Sequence, residues 1–231
     1  MRCNPRVDVI IPALDEQDAL PLVLSDIPRA LVRRVVVADN GSTDDTALRA
    51  REHGAEVVFE PERGYGAACL KALAHLAPDP PDIVVFLDGD YSDHPDEITH
   101  VVDPIARGDA DLVIGSRARG QRERGALSAQ QQVGNLIACS ALRLFYGVRY
   151  SDLGPFRAIR WETLQDLHLV DRNYGWTVEM QIKAARAGVT YREVPLSYRR
   201  RVGLSKVSGT LRGSVGAGVK ILWLLGRYAW S

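Results

Sequence analysis

Five times between residues 7 and 117 a short, nearly continuous apolar run ends in a turn-rich or charged cluster. The runs are VDVIIPAL (7–14), RRVVVADNGS (33–42), AEVVFEP (55–61), PDIVVFLDGD (81–90) and ADLVIGSR (110–117). Between them stand segments of helical pattern: DEQDALPLVLSDI, TDDTALRAREHG, GYGAACLKALAHL and DEITHVVDPIARG. Ser42 or Thr43 can cap the second of these, and Gly54 marks its end. Apolar runs without alternation belong to strands covered on both faces, and short strand–helix alternation predicts a doubly wound, mostly parallel α/β sheet. Ligands of such sheets bind beyond the carboxyl ends of the strands. The residues to watch are therefore Pro12 to Glu16, Asp39 to Ser42, Arg63 to Gly66, Asp88 to Asp90, and Gly115 to Arg117.

From about 118 the alternation breaks. A polar loop (QRERGALSAQQ), a helix (VGNLIACSALRLFYG), a loop with a short strand (SDLGPFRAI), a helix (WTVEMQIKAARAG) and a strand (TYREVPLSYRRR) follow. No repeat or linker divides the chain, which reads as one unit.

Charge narrows the function classes. Lys plus Arg and Asp plus Glu both total 29, and the missing basic excess argues against a nucleic-acid partner. Locally the balance fails: acids crowd into 88–97, while 199–212 carries Arg199, Arg200, Arg201, Lys206 and Arg212 without an acid. Cys3, Cys69 and Cys139 form no CxxC pair, which fits a reduced, cytoplasmic setting. No signal peptide or long uncharged apolar stretch is visible. The tail VGAGVKILWLLGRYAW (215–230) reads either as a core-packing helix or as one lying on a membrane surface, with Trp223, Tyr228 and Trp230 at the interface.

Asp88-Gly89-Asp90 at the end of the fourth run is the sharpest chemical feature. Two carboxylates there repel one another and resist burial, so a cation, basic groups or water must neutralise them. A turn flanked by two carboxylates can hold Mg²⁺ or Mn²⁺, which takes its other oxygens from water and phosphates. Other chemistries lack their motifs. The turn after the first run, PALDEQDA, has no glycine, which disfavours a nicotinamide-linked oxidoreductase; GxxxxGK[ST], GxSxG and a Cys/His constellation are also missing.

The ordered set VIIPALDE, VVVADNGSTDDT, ERGYGAAC, FLDGD and LVIGSR resembles a family 2 glycosyltransferase with the GT-A fold. SDLGPFRAI, GWTVEMQIKAA, VPLSYRRRVGLSK and SGTLRGS extend the resemblance, over about 7 to 228, to the dolichol- or polyprenyl-phosphate sugar transferase branch. It implies a Rossmann-like nucleotide-sugar half (1–117), an acceptor half (118–212) and an apolar C-terminal helix (213–231). The donor, a UDP- or GDP-hexose, would touch Pro12, Ala13, Leu14, Glu16, Asp39, Gly64, Asp88, Gly89 and Ser205. Asp39 would accept from the base or instead cap its own turn. Asp88 and Asp90 would hold the metal.

Arg117 would bind phosphate, and Arg200 and Lys206, in RxxGxSK with Gly203 and Ser205, would close on the donor diphosphate and the acceptor phosphate. Arg122 and Arg124 are further candidates for that phosphate. Asp152, in SDLGPFRA, matches an acid that the resemblance implies lies near the reacting centre; it or Glu179 would be the base for a hydroxyl acceptor, whereas a phosphate acceptor is already ionised. Trp176 stacks on a sugar or lipid, or simply packs.

The chain departs from the pattern at DYSDHP, where relatives continue into Gln-His-Pro, leaving Ser92 or Asp93 as a third metal ligand, and at Leu14, where an aromatic is common. The expectation is a metal-dependent inverting hexosyltransferase acting on a polyprenyl phosphate at the cytoplasmic membrane face. A soluble phosphorylated acceptor is the nearest alternative, and a non-catalytic nucleotide-binding module is the alternative of another class.

Overall fold

A computed structural model describes residues 5–203 together with 220, 223, 224 and 226–228. Seven strands form one sheet in the order β3-β2-β1-β4-β6-β5-β7. They are β1 (Val7–Ala13), β2 (Val32–Asp39), β3 (Glu56–Phe59), β4 (Ile83–Phe86), β5 (Leu112–Ser116), β6 (Arg157–Arg160) and β7 (Tyr191–Pro195). All neighbours run parallel except β6, which is antiparallel to both β4 and β5. The mixed, mostly parallel sheet expected from the alternation is thus present. The antiparallel strand comes from the SDLGPFRAI segment, inserted between the fourth and fifth runs.

The helices are α1 (Leu20–Asp26), α2 (Thr46–Glu52), α3 (Tyr65–Leu76), α4 (Ile98–Ala106), α5 (Ala129–Tyr146), α6 (Trp161–Asp166) and α7 (Trp176–Arg186). Successive side chains of a strand point to opposite faces, so each strand feeds two cores. Val9 and Ile11 of β1 join α1 and α4 on one face. Ile10 joins α3, α7 and the inner side of α5 on the other. This double burial is why the runs are apolar without alternation.

Several boundaries differ from the sequence reading, each for a local reason. β4 ends at Phe86, so Asp88, Gly89 and Asp90 lie in the loop beyond the strand. α1 begins at Leu20 because Asp15 takes a positive φ of 51° and turns the chain first. α2 is preceded by Asp45, with no side-chain cap on that residue; the Ser42 hydroxyl instead accepts from Asp15 N–H at 2.9 Å. β7 stops at Pro195, short of the arginine run, and a six-residue helix, α6, follows β6 directly where the sequence pattern shows no helix.

Of the expected tail helix, the described residues are helical and dock inward. Leu224 is buried, Lys220 Nζ lies 2.9 Å from Asp171, and Tyr228 OH donates to Glu179 at 2.8 Å. Trp223 is half exposed, whereas Trp230 lies outside the described residues. Among the described residues no helix is long and apolar enough to cross a membrane.

The start of α3 is closed by backbone. Gly66 N–H donates to Asn173 O at 3.3 Å and Ala67 N–H to Arg172 O at 2.9 Å. A Cβ on Gly66 would fall 2.0 Å from Asp171 O, and one on Gly64 equally close to Arg172 O. Gly66→Ala should therefore destabilise the fold by about 1–3 kcal/mol through overpacking, read as a lower urea midpoint at unchanged m-value. An unchanged midpoint would contradict this contact.

Candidate active site

β1 is flanked by β2 and β4: the chain proceeds from β1 through β2 to β3 on one side and then crosses to β4 on the other, and this reversal of strand order opens a crevice at their carboxyl ends. The registers Ala13↔Asp39 and Ile10↔Phe86 bring the loops after these three strands to one edge. The first two loops interlock. Asp15 Oδ1 accepts from Thr43 N–H at 2.7 Å, and Glu16 N–H donates to Thr46 Oγ1 at 2.7 Å. Asp39 Oδ1 accepts from Ser42 N–H at 2.9 Å, which is the turn-capping contact; the Asp39 carboxylate has no other hydrogen bond among the described residues. Asn40 Oδ1 accepts from Gly64 N–H at 2.7 Å and so ties the α3 loop to β2. Pro12 and Leu14 are half-buried, Ala13 is buried, and Gly89 packs on Ile11 and Pro12.

The third loop carries the acids. Asp88 is half-buried, and Tyr65 OH on α3 donates to its Oδ1 at 3.2 Å. Burial, and then the like charge of Asp90, push the Asp88 carboxyl up to about 7. Asp90 accepts from Ser92 N–H at 2.9 Å, and its Oδ2 lies 3.3 Å from Arg201 Nη1. Arg201 Nη2 also donates to Glu16 Oε1 at 3.0 Å, so one guanidinium bridges the ends of β1 and β4. Asp93 is buried with Oδ2 unpartnered among the described residues; burial, followed by the charges of Asp88 and Asp90, holds its carboxyl well above the usual range. Two like-charged carboxylates and an orphaned buried carboxylate oxygen fit a cation. Among the described residues no three acid, His or Cys side chains surround one point.

The YSD stretch is held by Arg199. Its Nε donates to Tyr91 O at 2.7 Å, its Nη2 to Asp93 O at 3.0 Å, and its guanidinium stacks 3.3 Å from the Tyr91 ring centroid. Tyr91 adopts φ 62°, a conformation side chains other than glycine seldom take, and this clamp maintains it.

On the other side of the crevice Arg117 and Asp152 form a buried pair. Arg117 donates Nε and Nη2 to the two Asp152 oxygens at 2.9 and 2.8 Å, and its backbone N–H adds a third bond at 2.7 Å. Arg117 also faces the Tyr198 ring at 5.2 Å. The carboxylate holds the Arg117 guanidinium above its ordinary range despite burial.

Two sequence-predicted residues point elsewhere. Arg200 donates Nε and Nη2 to Arg124 O at 2.9 and 2.7 Å, so it secures the 122–124 loop. Glu179 is fully buried and accepts from Asp171 N–H at 2.7 Å, from Lys183 at 2.9 Å and from Tyr228. Trp176 is buried edge-on to Phe86, at 6.2 Å between centroids. Ser205 and Lys206 lie outside the described residues. Tyr65 falls within the Arg63–Gly66 strand-end stretch, and Arg199 and Arg201 within the basic run, but no sequence pattern assigned any of the three the contact it makes here.

The mixed sheet with its crevice of acids defines a GT-A glycosyltransferase, and solved structures of that fold superpose on it. The chain belongs to glycosyl transferase family 2, whose model matches residues 8–171. It is 40% identical over 211 residues to an uncharacterized glycosyltransferase of Mycobacterium tuberculosis, covering 90% of this chain and 93% of the relative. It is 33% identical over 201 residues to the dolichyl-phosphate hexose transferase of Haloferax volcanii, covering 86% and 85%. Among solved structures, glucosyl-3-phosphoglycerate synthase of Mycobacterium tuberculosis, in complex with Mn²⁺, UDP-glucose and phosphoglyceric acid, superposes with a TM-score of 0.74 at 28% identity, over 96% of this chain and 80% of that one.

Proposed function

We propose that this glycosyltransferase moves a hexose from a nucleoside-diphosphate sugar to the phosphate of a polyprenyl lipid, by a single inverting displacement assisted by a divalent cation. The observation that carries the acceptor class is the state of Asp152. Its carboxylate takes three hydrogen bonds from Arg117, so it is engaged as an anchor rather than free to take a proton. A hydroxyl acceptor needs such a base, whereas a phosphate oxygen arrives ionised. Relatives named for dolichyl and undecaprenyl phosphate support this acceptor class.

The donor's nucleoside would lie over Pro12, Ala13 and Leu14, with the free side of Asp39 toward the base. Asp88 and Asp90 would hold Mg²⁺ or Mn²⁺, which supplies positive charge to the diphosphate leaving group. Gly89 lets that loop sit close on β1. Arg201 moves between Glu16, Asp90 and the incoming phosphates, and Arg117, held by Asp152, faces the developing charge. Contact with the cytoplasmic membrane face is peripheral in this reading.

A soluble phosphorylated acceptor is favoured by the likeness to glucosyl-3-phosphoglycerate synthase. Purified protein, labelled UDP- or GDP-hexoses, and both a polyprenyl phosphate and 3-phosphoglycerate separate the readings. Label should enter the organic phase, and EDTA should stop it with recovery on adding Mn²⁺. Label confined to water-soluble product overturns the lipid acceptor, and turnover indifferent to EDTA overturns the metal.

A further inference from the structure

Three consecutive arginines follow β7, and one of them is turned to carboxylates for which the proposed site has another use. Arg199 donates to the carbonyls of Tyr91 and Asp93, and Arg200 to that of Arg124, contacts that hold backbone in place. Arg201 instead sets Nη2 3.0 Å from Glu16 Oε1 and Nη1 3.3 Å from Asp90 Oδ2. Both carboxylates belong to buried residues, whereas the Arg201 side chain is 28% exposed. Its Nε is buried and has no partner among the described residues.

The two oxygens of Asp90 are divided between tasks. Ser92 donates both its N–H and its hydroxyl to Oδ1, and Oδ2 is the oxygen that meets Arg201. Two cations on one carboxylate oxygen repel each other, so a guanidinium and a divalent ion exclude one another there. Burial and the charge of Asp90 raise the Asp88 carboxyl, and the charges of Arg117 and Arg201 oppose them, so Arg201 acts on both acids of the turn.

The backbone beneath this side chain is pinned separately. Val202 N–H donates to Asp90 O at 3.0 Å, Arg199 N–H to Ser92 O at 2.9 Å, and Tyr198 pairs with Asp93 in an antiparallel bridge. Ser197 N–H donates to Glu97 Oε2 at 2.8 Å. With 197–202 fastened to the Asp90 loop by these bonds, the guanidinium can leave Asp90 by side-chain rotation alone.

We propose that Arg201 is the resident cation of the Asp88–Asp90 turn: it neutralises Asp90 and Glu16 in the absence of a divalent ion, and it gives up Asp90 to that ion when a nucleoside diphosphate offers it phosphate oxygens instead. The assignment rests on the transferase reading and adds to it how the cation site is opened. A divalent ion alone must break the ion pairs of Arg201, whereas a nucleoside diphosphate offsets that loss through charge-assisted hydrogen bonds to the released guanidinium. Metal and nucleotide binding are thereby coupled through one side chain, and each strengthens the other by the same factor.

The test uses the full chain stripped with EDTA, and the paramagnetic resonance signal of free Mn²⁺ reports bound metal in wild type, Arg201→Gln, Arg201→Lys and Asp88→Asn. Thermal melts without metal establish which variants fold. Arg201→Gln should bind Mn²⁺ alone about fivefold or more tighter than wild type. Arg201→Lys keeps a charge but loses the fork that spans two carboxylates, and should fall between them. Saturating UDP or GDP should tighten Mn²⁺ binding by a smaller factor in Arg201→Gln than in wild type. An arginine that only supports the loop gives the opposite sign, because losing it loosens the site and weakens Mn²⁺ binding. Equal or weaker Mn²⁺ binding by the folded arginine variants, with Asp88→Asn impaired, overturns the exchange and leaves the metal site standing. Mn²⁺ binding that Asp88→Asn leaves unchanged, or none in any protein with nucleotide present, overturns the metal site and the exchange with it.

Discussion

Asp88→Asn should abolish hexose transfer and, in the same protein, raise the stability of the metal-free fold at neutral pH. The loss of transfer, about 100- to 1,000-fold, follows from removing one of two carboxylates proposed to hold the cation against the leaving diphosphate. The gain in stability follows from burial and from the repulsion of Asp90, which push the Asp88 carboxyl up to about 7. An unfolded Asp titrates near 4, so between about pH 4 and 7 the folded state holds a proton that the unfolded state has lost. That contribution to stability is fully present below about pH 4 and disappears as pH rises through about 7. Asn carries no charge and escapes the loss. In EDTA the melting temperature of Asp88→Asn should therefore gain on wild type across this window and hold its lead above it, and Mn²⁺ should narrow the gap by stabilising wild type alone. Parallel pH curves for the two proteins would refute the argument.

Asp152→Ala should be the most damaging single change to the fold among the site residues. It leaves the Arg117 guanidinium, whose side chain is 15% exposed, without its bidentate partner. Removing one member of a buried pair costs about 3–5 kcal/mol, because the other charge stays uncompensated. Chemical denaturation should show a loss of that size, and a loss below about 1 kcal/mol would mean that water reaches the pair. Asp152→Asn keeps the shape and isolates the chemistry. A positioning role predicts a lower kcat with the pH–rate profile keeping its acid limb, since the carboxylate carries no proton in the reaction. Disappearance of that limb in Asp152→Asn would make Asp152 a base and would favour a hydroxyl acceptor.

The strand ends were legible because the strands are buried on both faces. Continuous apolar runs located β1, β2, β4 and β5, and the residues after them are the ones that gather at the crevice. What the runs could not reveal is pairing across distance. Arg200 and Arg201 are adjacent, yet one secures the 122–124 loop and the other bridges Glu16 and Asp90, because the chain after β7 is irregular and no periodicity assigns its side chains. Arg117 and Asp152 were each singled out separately; their mutual contact depends on antiparallel β6 entering between β4 and β5. The departure at YSD marked a real local feature, but the left-handed Tyr91 and its Arg199 clamp need three-dimensional contacts to be seen.

The closed start of α3 has a consequence for how negative charge is handled. In many nucleotide-binding sheets the unpaired N–H groups at a helix start carry part of a phosphate's charge. Here Gly66 and Ala67 direct theirs to the carbonyls of Asn173 and Arg172, and the backbones approach too closely for an oxyanion to intervene. A diphosphate in this crevice must find its counter-charge in side-chain cations or a metal ion. Under the proposed function the protein would exchange a fixed dipole for charges that can arrive and depart with each turnover, and the 171–173 loop, whose packing rests on two glycines, would wall the proposed donor site.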